Sequence, residues 1–228
     1  MHQFSQYAIS ANLLTALNKL KLTNATPIQH MSIPLALDGR DLLGTAQTGT
    51  GKTFAFGIPL INHLMKNADN AAIILTPTRE LATQVLVALK SLTHQTDKLD
   101  TALLIGGDSI EKQIRQLKKA RLVVGTPGRM NDHLKRKSLK LKQFNFLVLD
   151  ETDRMLDMGF ITDIKLLLAI CQLIRHYYFL PPYQKKYQKW LKNFSIIQNA
   201  LALAKPTCQQ LIFYKKFVKL IKVKNLNN

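Results

Sequence analysis

The sequence predicts an α/β fold, a parallel sheet flanked by helices on both faces, and three observations carry that expectation. Ala72-Ile73-Ile74-Leu75, Leu103-Leu104-Ile105, Leu122-Val123-Val124 and Phe146-Leu147-Val148-Leu149 are uninterrupted apolar runs of strand length. Segments with apolar residues at helical spacing separate them. A glycine-rich turn joins an apolar run to a helical pattern at residues 44–53. Strands that are apolar throughout, not alternately, are buried on both faces, and the helices between them supply the cover.

In chain order, Ser10 is a plausible N-cap for a helix through Leu13, Leu14, Leu17 and Leu20, whose i, i+3, i+4 spacing makes one apolar face. A second helix starts at Pro27, a favoured first position, and runs to Leu37 before Asp38-Gly39 ends it. Asp41-Leu42-Leu43 reads as the end of a short buried strand. Phe54, Phe56, Ile58, Leu60, Ile61 and Leu64 supply the buried side of a helix opening at the glycines. Helical patterns follow at residues 80–92 and 109–117, each between two of the apolar runs.

Residues 44–53 read G-T-A-Q-T-G-T-G-K-T. With Ala46 in the first small position this fits a phosphate-binding loop, A-x-x-G-x-G-K-T. Gly49 and Gly51 allow a tight turn that aims backbone N–H groups at one anion, at the positive end of the following helix. Lys52 would reach the β- and γ-phosphates of a nucleotide and Thr53 would offer its hydroxyl to Mg²⁺. The bland alternative, a glycine turn with a chance lysine, is disfavoured by the strand before and the helix after. Asp150-Glu151 place two carboxylates directly after an apolar strand, at the end where open α/β sheets bind ligands. Asp150 is suited to the metal, and Glu151 to polarising a water for attack on the γ-phosphorus. The competing reading of this pair is a solvated loop.

The net charge of +18 points to a polyanion. Its distribution is uneven: Asp163 is the last acidic residue, while Arg175 and the ten lysines between Lys185 and Lys224 lie beyond it, and ten of the 17 aromatic residues also lie beyond residue 175. No apolar run spans a bilayer and the N-terminus lacks a signal-peptide pattern, so a cytoplasmic location without membrane association is the expectation. Cys171 and Cys208 have no ligand spacing, which argues against a zinc site and against a disulfide-linked partner.

Residues 4 to 174 resemble the DEAD-box ATP-dependent RNA helicases. Residues 46–53 look like motif I and Pro77-Thr78-Arg79-Glu80-Leu81-Ala82 like motif Ia. Gly106-Gly107 and Thr126-Pro127-Gly128-Arg129 look like the next two, and Asp150-Glu151-Thr152-Asp153 stands where D-E-A-D would be. Thr26-Pro27-Ile28-Gln29 with Phe4 resembles the adenine-reading Q motif. The resemblance implies a RecA-like, P-loop NTPase domain that uses ATP and Mg²⁺. In it Ala46, Gln47, Thr48, Gly49, Thr50, Gly51, Lys52 and Thr53 cradle the phosphates, Gln29 bonds the adenine edge and Phe4 packs on the base. It further implies that Pro77, Thr78, Arg79, Gly106, Gly107, Thr126, Pro127, Gly128 and Arg129 grip an RNA backbone, without sequence preference. Arg79 has a competing reading as a structural salt-bridge partner. Asp153 would link metal and RNA. Thr152 replaces the family's alanine, and Lys21-Leu22 stand where a glycine and an aromatic are usual.

The family pattern continues with a Ser-Ala-Thr strand and a second RecA-like domain whose arginines complete the γ-phosphate site, and neither is read here. Arginines of that kind are worth ~10³–10⁵ in rate, so little hydrolysis is expected without them. Reading codons across the junctions of residues 176–182, from the third base of each, forces Leu-Leu and permits Phe-Ser-Ala-Thr. The expectation is therefore a helicase domain at 1–174, with the Q-motif segment at 1–40, and an out-of-frame tail at 175–228. Residues 177–180 are apolar enough to enter the missing strand's slot, overpacking it by about 1–3 kcal/mol. Helices around 185–194 and 213–223 would have little reason to pack in a defined place. The alternatives are a non-enzymatic ATP- and RNA-binding module with a basic-aromatic tail, a DNA-directed helicase, and a basic RNA-binding protein indifferent to nucleotide.

Overall fold

The Ser10 hydroxyl accepts a bond from the Leu13 N–H at 3.3 Å, satisfying a first-turn donor, and α1 (Ala11–Lys19) follows. The helix closes on Leu22 N–H donating to the Leu17 carbonyl at 2.9 Å, with Lys21 left-handed at φ 58°. Two short strands, β1 (His2–Gln3) and β2 (Asn24–Ala25), pair antiparallel and bring the N-terminus beside α2 (Pro27–Leu37). This computed structural model describes residues 2–40, 42–45, 49–93, 99–170 and 175–180, all within the compact unit Met1–Tyr183.

The main sheet contains β3 (Leu42–Thr45), β4 (Ala72–Leu75), β5 (Thr101–Leu104), β6 (Leu122–Gly125), β7 (Phe146–Leu149) and β8 (Arg175–Leu180). Every pairing is parallel and the order is β3-β8-β7-β4-β6-β5. β4, β6 and β7 are buried at every position, whereas β5, at an edge, buries only alternate residues. Ile74, Val124 and Val148 join the core under the first helices. Ile73, Val123 and Leu147, opposite by the period of two, are also buried, so both faces are covered as predicted.

The remaining helices are α3 (Lys52–Lys66), α4 (Arg79–Thr93), α5 (Ile110–Leu117), α6 (Pro127–Lys135), α7 (Thr152–Asp157) and α8 (Ile161–Ile170). Those expected at 80–92 and 109–117 are α4 and α5, with Ser109 capping the latter through its hydroxyl. The last three were not read from the sequence.

The compositional break at residue 175 falls on the first residue of β8, so strand pairing continues to Leu180, past the expected 1–174 boundary. β8 lies between β3 and β7, the slot anticipated for residues 177–180. The expected tail helices lie outside the described residues. Among the described residues no helix is long and apolar enough to cross a membrane.

Candidate functional site

Leu43, Tyr178, Leu149, Leu75, Gly125 and Leu104 form one row across the sheet. Almost every motif residue follows its strand just beyond that row, at the C-terminal ends where parallel sheets place their ligands.

Beyond β3, Gly49 and Gly51 are left-handed at φ 80° and 90°. A Cβ on Gly51 would lie 2.5 Å from Gln29 Nε2, so the close approach of the two segments requires glycine. Gln29 Nε2 donates to the Gly51 carbonyl at 3.0 Å and its Oε1 accepts from Thr26 N–H at 2.9 Å. One amide hydrogen and one lone pair remain for another partner. Ala46, Gln47 and Thr48 lie outside the described residues. Lys52 opens α3 and is buried, with Thr50 and Thr53 half-buried beside it. The Phe4 ring is in the core, edge-on to Tyr7 with centroids 6.2 Å apart. Tyr7 Oη bonds His30 Nδ1 at 2.8 Å, and His30 stacks on His2 at 3.3 Å. These three rings were missed in the sequence because only the β1–β2 pairing brings His2 to α2.

Asp150 follows β7 and is 3 % exposed; its N–H donates to the Leu75 carbonyl, but its Oδ1 has no partner among the described residues. Burial pushes its carboxyl up to about 6, against the opposing pull of Lys52, and Glu151 adds to the rise. Asp153 is raised for the same first reason, and its Oδ1 also lacks a partner. Lys52 acts on both carboxyls, so the glycine turn and the acid pair share one site. Two buried carboxylate oxygens without donors, facing a lysine at a helix N-terminus, fit a site that receives a cation and phosphates. Glu151 is left-handed at φ 51° and its Oε2 lies 3.4 Å from Arg154 Nη1. Thr152, fully buried, donates its hydroxyl to the Leu149 carbonyl at 3.1 Å, so the group absent from alanine is satisfied internally.

The ends of β4, β5 and β6 border an open cleft of about 450 Å³. Pro77, Thr78, Arg79, Gly106, Thr126, Gly128 and Arg129 line it. Gly107 and Pro127 are not in its wall: Gly107 is an exposed turn residue at φ 89°, and Pro127 is buried as the first residue of α6. Arg79 packs its guanidinium where Cβ atoms on Gly106 or Gly107 would stand, at 3.1 and 2.8 Å. Among the described residues, Arg79 takes part in neither of the ion pairs Arg129–Asp132 and Arg154–Glu151. Glu80, Asp132, Met158 and Phe160 complete the wall; Glu80 belongs to the motif Ia stretch but was given no role, and the other three carried no recognisable signal, since they belong to no motif read from the sequence.

Comparison with known proteins gives one consistent answer. The family model described as DEAD/DEAH box helicase matches residues 26–191. The ATP-dependent RNA helicase CshA of Listeria monocytogenes is 48 % identical over 171 residues, covering 74 % of this chain and 32 % of that protein. The DEAD-box ATP-dependent RNA helicase CshA of Bacillus subtilis is 45 % identical over 168 residues, covering 73 % and 34 %. The chain thus spans about a third of the length of these curated relatives. A DEAD box protein from Methanococcus jannaschii superposes with TM-score 0.80 at 40 % identity, over 85 % of this chain and 54 % of that one. A hypothetical ATP-dependent RNA helicase from Sulfolobus tokodaii gives 0.73 at 31 %, over 82 % and 55 %. With the family model matching most of the chain and the parallel sheet superposing on two such proteins, the chain belongs to the DEAD/DEAH box helicase family.

Proposed function

We propose that the chain binds ATP with Mg²⁺ beside a backbone-reading RNA cleft, as the ATP-binding half of a DEAD-box RNA helicase. The observation that carries this reading is the pair of buried, donor-free carboxylate oxygens on Asp150 and Asp153 under the influence of Lys52. Lys52 and the N–H groups at Gly49, Thr50 and Gly51 neutralise phosphate charge, and Gln29 offers its spare N–H and lone pair to an adenine edge. Asp150 and Thr53 hold the magnesium, whose charge makes the γ-phosphorus more electrophilic when it is bound. Glu151 orients the attacking water. In the cleft, Thr78, Arg79, Gly106, Thr126, Gly128 and Arg129 meet sugar and phosphate, so affinity falls with salt and ignores sequence.

Phosphate release measured with and without RNA tests the reading. RNA-stimulated release that is lost in Lys52→Ala and Glu151→Gln is the expected result where the chain acts as an ATPase. ATP binding that Lys52→Ala weakens ~10-fold or more, with no RNA-stimulated release, identifies a binding module instead. RNA affinity with no nucleotide affinity at all removes the reading, and preference for DNA over RNA removes its substrate.

A further inference from the structure

We propose that Gln113 is a positioning residue of the RNA cleft, its one amide locking Arg129 and the Gly106-Gly107 turn into a single arrangement. The inference rests on the RNA reading of the cleft. Gln113 lies on α5 and is 1 % exposed, on no motif of the family pattern read above. Its Nε2 donates to the carbonyl of Ile105, the residue before Gly106, at 2.9 Å. Its Oε1 receives Arg129 Nη1 at 3.3 Å and His133 Nε2 at 2.8 Å. The reversed amide would set an NH₂ group against two donors and an oxygen against a carbonyl, so the partners fix its orientation.

The same logic fixes the histidine. Because Gln113 Oε1 only accepts, His133 donates from Nε2, and its Nδ1 lies 2.8 Å from the Ser138 hydroxyl, which also reaches the His133 carbonyl at 3.1 Å. His133 is fully buried between these partners. Arg129 Nη1 has both hydrogens directed into the protein, one to Gln113 and one to the Asp108 carbonyl at 3.1 Å. The plane of the guanidinium is thereby set beside the cleft that Arg129 lines, with both Nη1 hydrogens engaged in the protein and Nε 3.9 Å from Asp132. A fork held in plane loses less rotational freedom on gripping phosphate than a free one. Among the described residues this network makes no hydrogen bond to Asp150, so its removal should affect RNA alone.

The test is a double-mutant cycle on the full chain, reading the Kd of a single-stranded RNA oligonucleotide. Gln113→Met, nearly isosteric and without either hydrogen-bonding group, is expected to weaken RNA binding about 5- to 10-fold, the worth of a net hydrogen bond or slightly more. In an Arg129→Ala background the same change is expected to alter RNA affinity less than about twofold, because its effect runs through Arg129. ATP affinity stays at the wild-type value throughout. A Gln113→Met effect that persists undiminished without Arg129, or that falls equally on ATP and RNA, overturns the proposal in favour of simple packing. If Gln113→Met does not fold, His133→Gln, which keeps an N–H at the Nε2 position, should bind RNA like wild type, and His133→Leu should bind it ~3-fold or more weakly. Equal affinities in those two variants also overturn it. Failure of the unaltered chain to bind RNA would remove the cleft reading itself, whereas RNA binding indifferent to Gln113 removes only the positioning role.

Discussion

Asp150 sits where a carboxylate is least comfortable, buried beside Glu151 with one oxygen undonated, and its proton affinity reports that discomfort. Its folded pKa of about 6 lies above the ~3.9 of an unfolded aspartate, so the metal-free native state retains a proton that the unfolded chain has already released between those values. The stability contributed by this group is therefore complete below about pH 4 and is lost as pH rises through 6, by an amount on the order of 3 kcal/mol. Asp150→Asn is expected to raise the metal-free thermal midpoint at pH 7.5 and to flatten that pH dependence. Mg²⁺ should stabilise the unaltered chain at pH 7.5 and leave the variant unchanged. Thermal unfolding with and without Mg²⁺ at several pH values measures both, and a variant no more stable than wild type would contradict the account. Lys21 is a smaller case of local strain: a residue with a Cβ held at φ 58°, where the family usually has glycine, costs about 1–2 kcal/mol.

Among the elements, α3 matters most, because Lys52 stands at its first turn. Its N-terminus is set by the glycines and by Gln29. Its C-terminus lacks a left-handed glycine and depends instead on Arg121, whose guanidinium donates to the carbonyls of Leu64, Asn67 and Asn70. Arg121 thus binds the end of α3 to the start of β6. Arg121→Ala is expected to destabilise the chain by ~2–3 kcal/mol in denaturant unfolding, since three carbonyls lose a charged donor. ATP affinity should survive under conditions where the variant is folded. Gly125 makes a comparable demand within the sheet, as a Cβ there would meet the Leu104 carbonyl at 2.3 Å. Helix starts such as Ser10 and Ser109 were legible because a cap acts within one turn of chain. The Arg121 cap was not, since its partners lie more than fifty residues away.

For the whole molecule, the spatial strand order β3-β8-β7-β4-β6-β5 sets the relation between the two sites. One strand, β8, separates the glycine turn after β3 from the acid pair after β7, and β4 stands beside β7 to begin the cleft. The proposed nucleotide and RNA sites therefore lie at the same C-terminal end of the sheet. β8 begins where composition changes, and its pairing on both sides shows that residues 175–180 satisfy the backbone of the slot whatever their origin. The out-of-frame origin expected for residues 175–228 makes a prediction at this scale. Sequencing the locus should show, in the shifted frame, Leu-Leu-Phe-Ser-Ala-Thr across residues 176–182 and a further domain downstream; if that frame is closed by stop codons, the basic-aromatic tail is the native one.

What the sequence by itself determined were the properties that short stretches of chain carry: the fold class, the strands, the caps, the glycine turn and the acid pair. Residues 46–53 and 150–153 could be picked out as candidates because phosphate cradles and strand-end carboxylates are built from neighbours. Only the tertiary structure decided that Phe4 lies in the core, that His2 stacks on His30, that Arg79 packs on two glycines, and that Gln113 joins two loops. Each of those depends on which distant segments the sheet order brings together, and strand order is chosen by the packing of both faces at once, a quantity no local stretch of sequence contains.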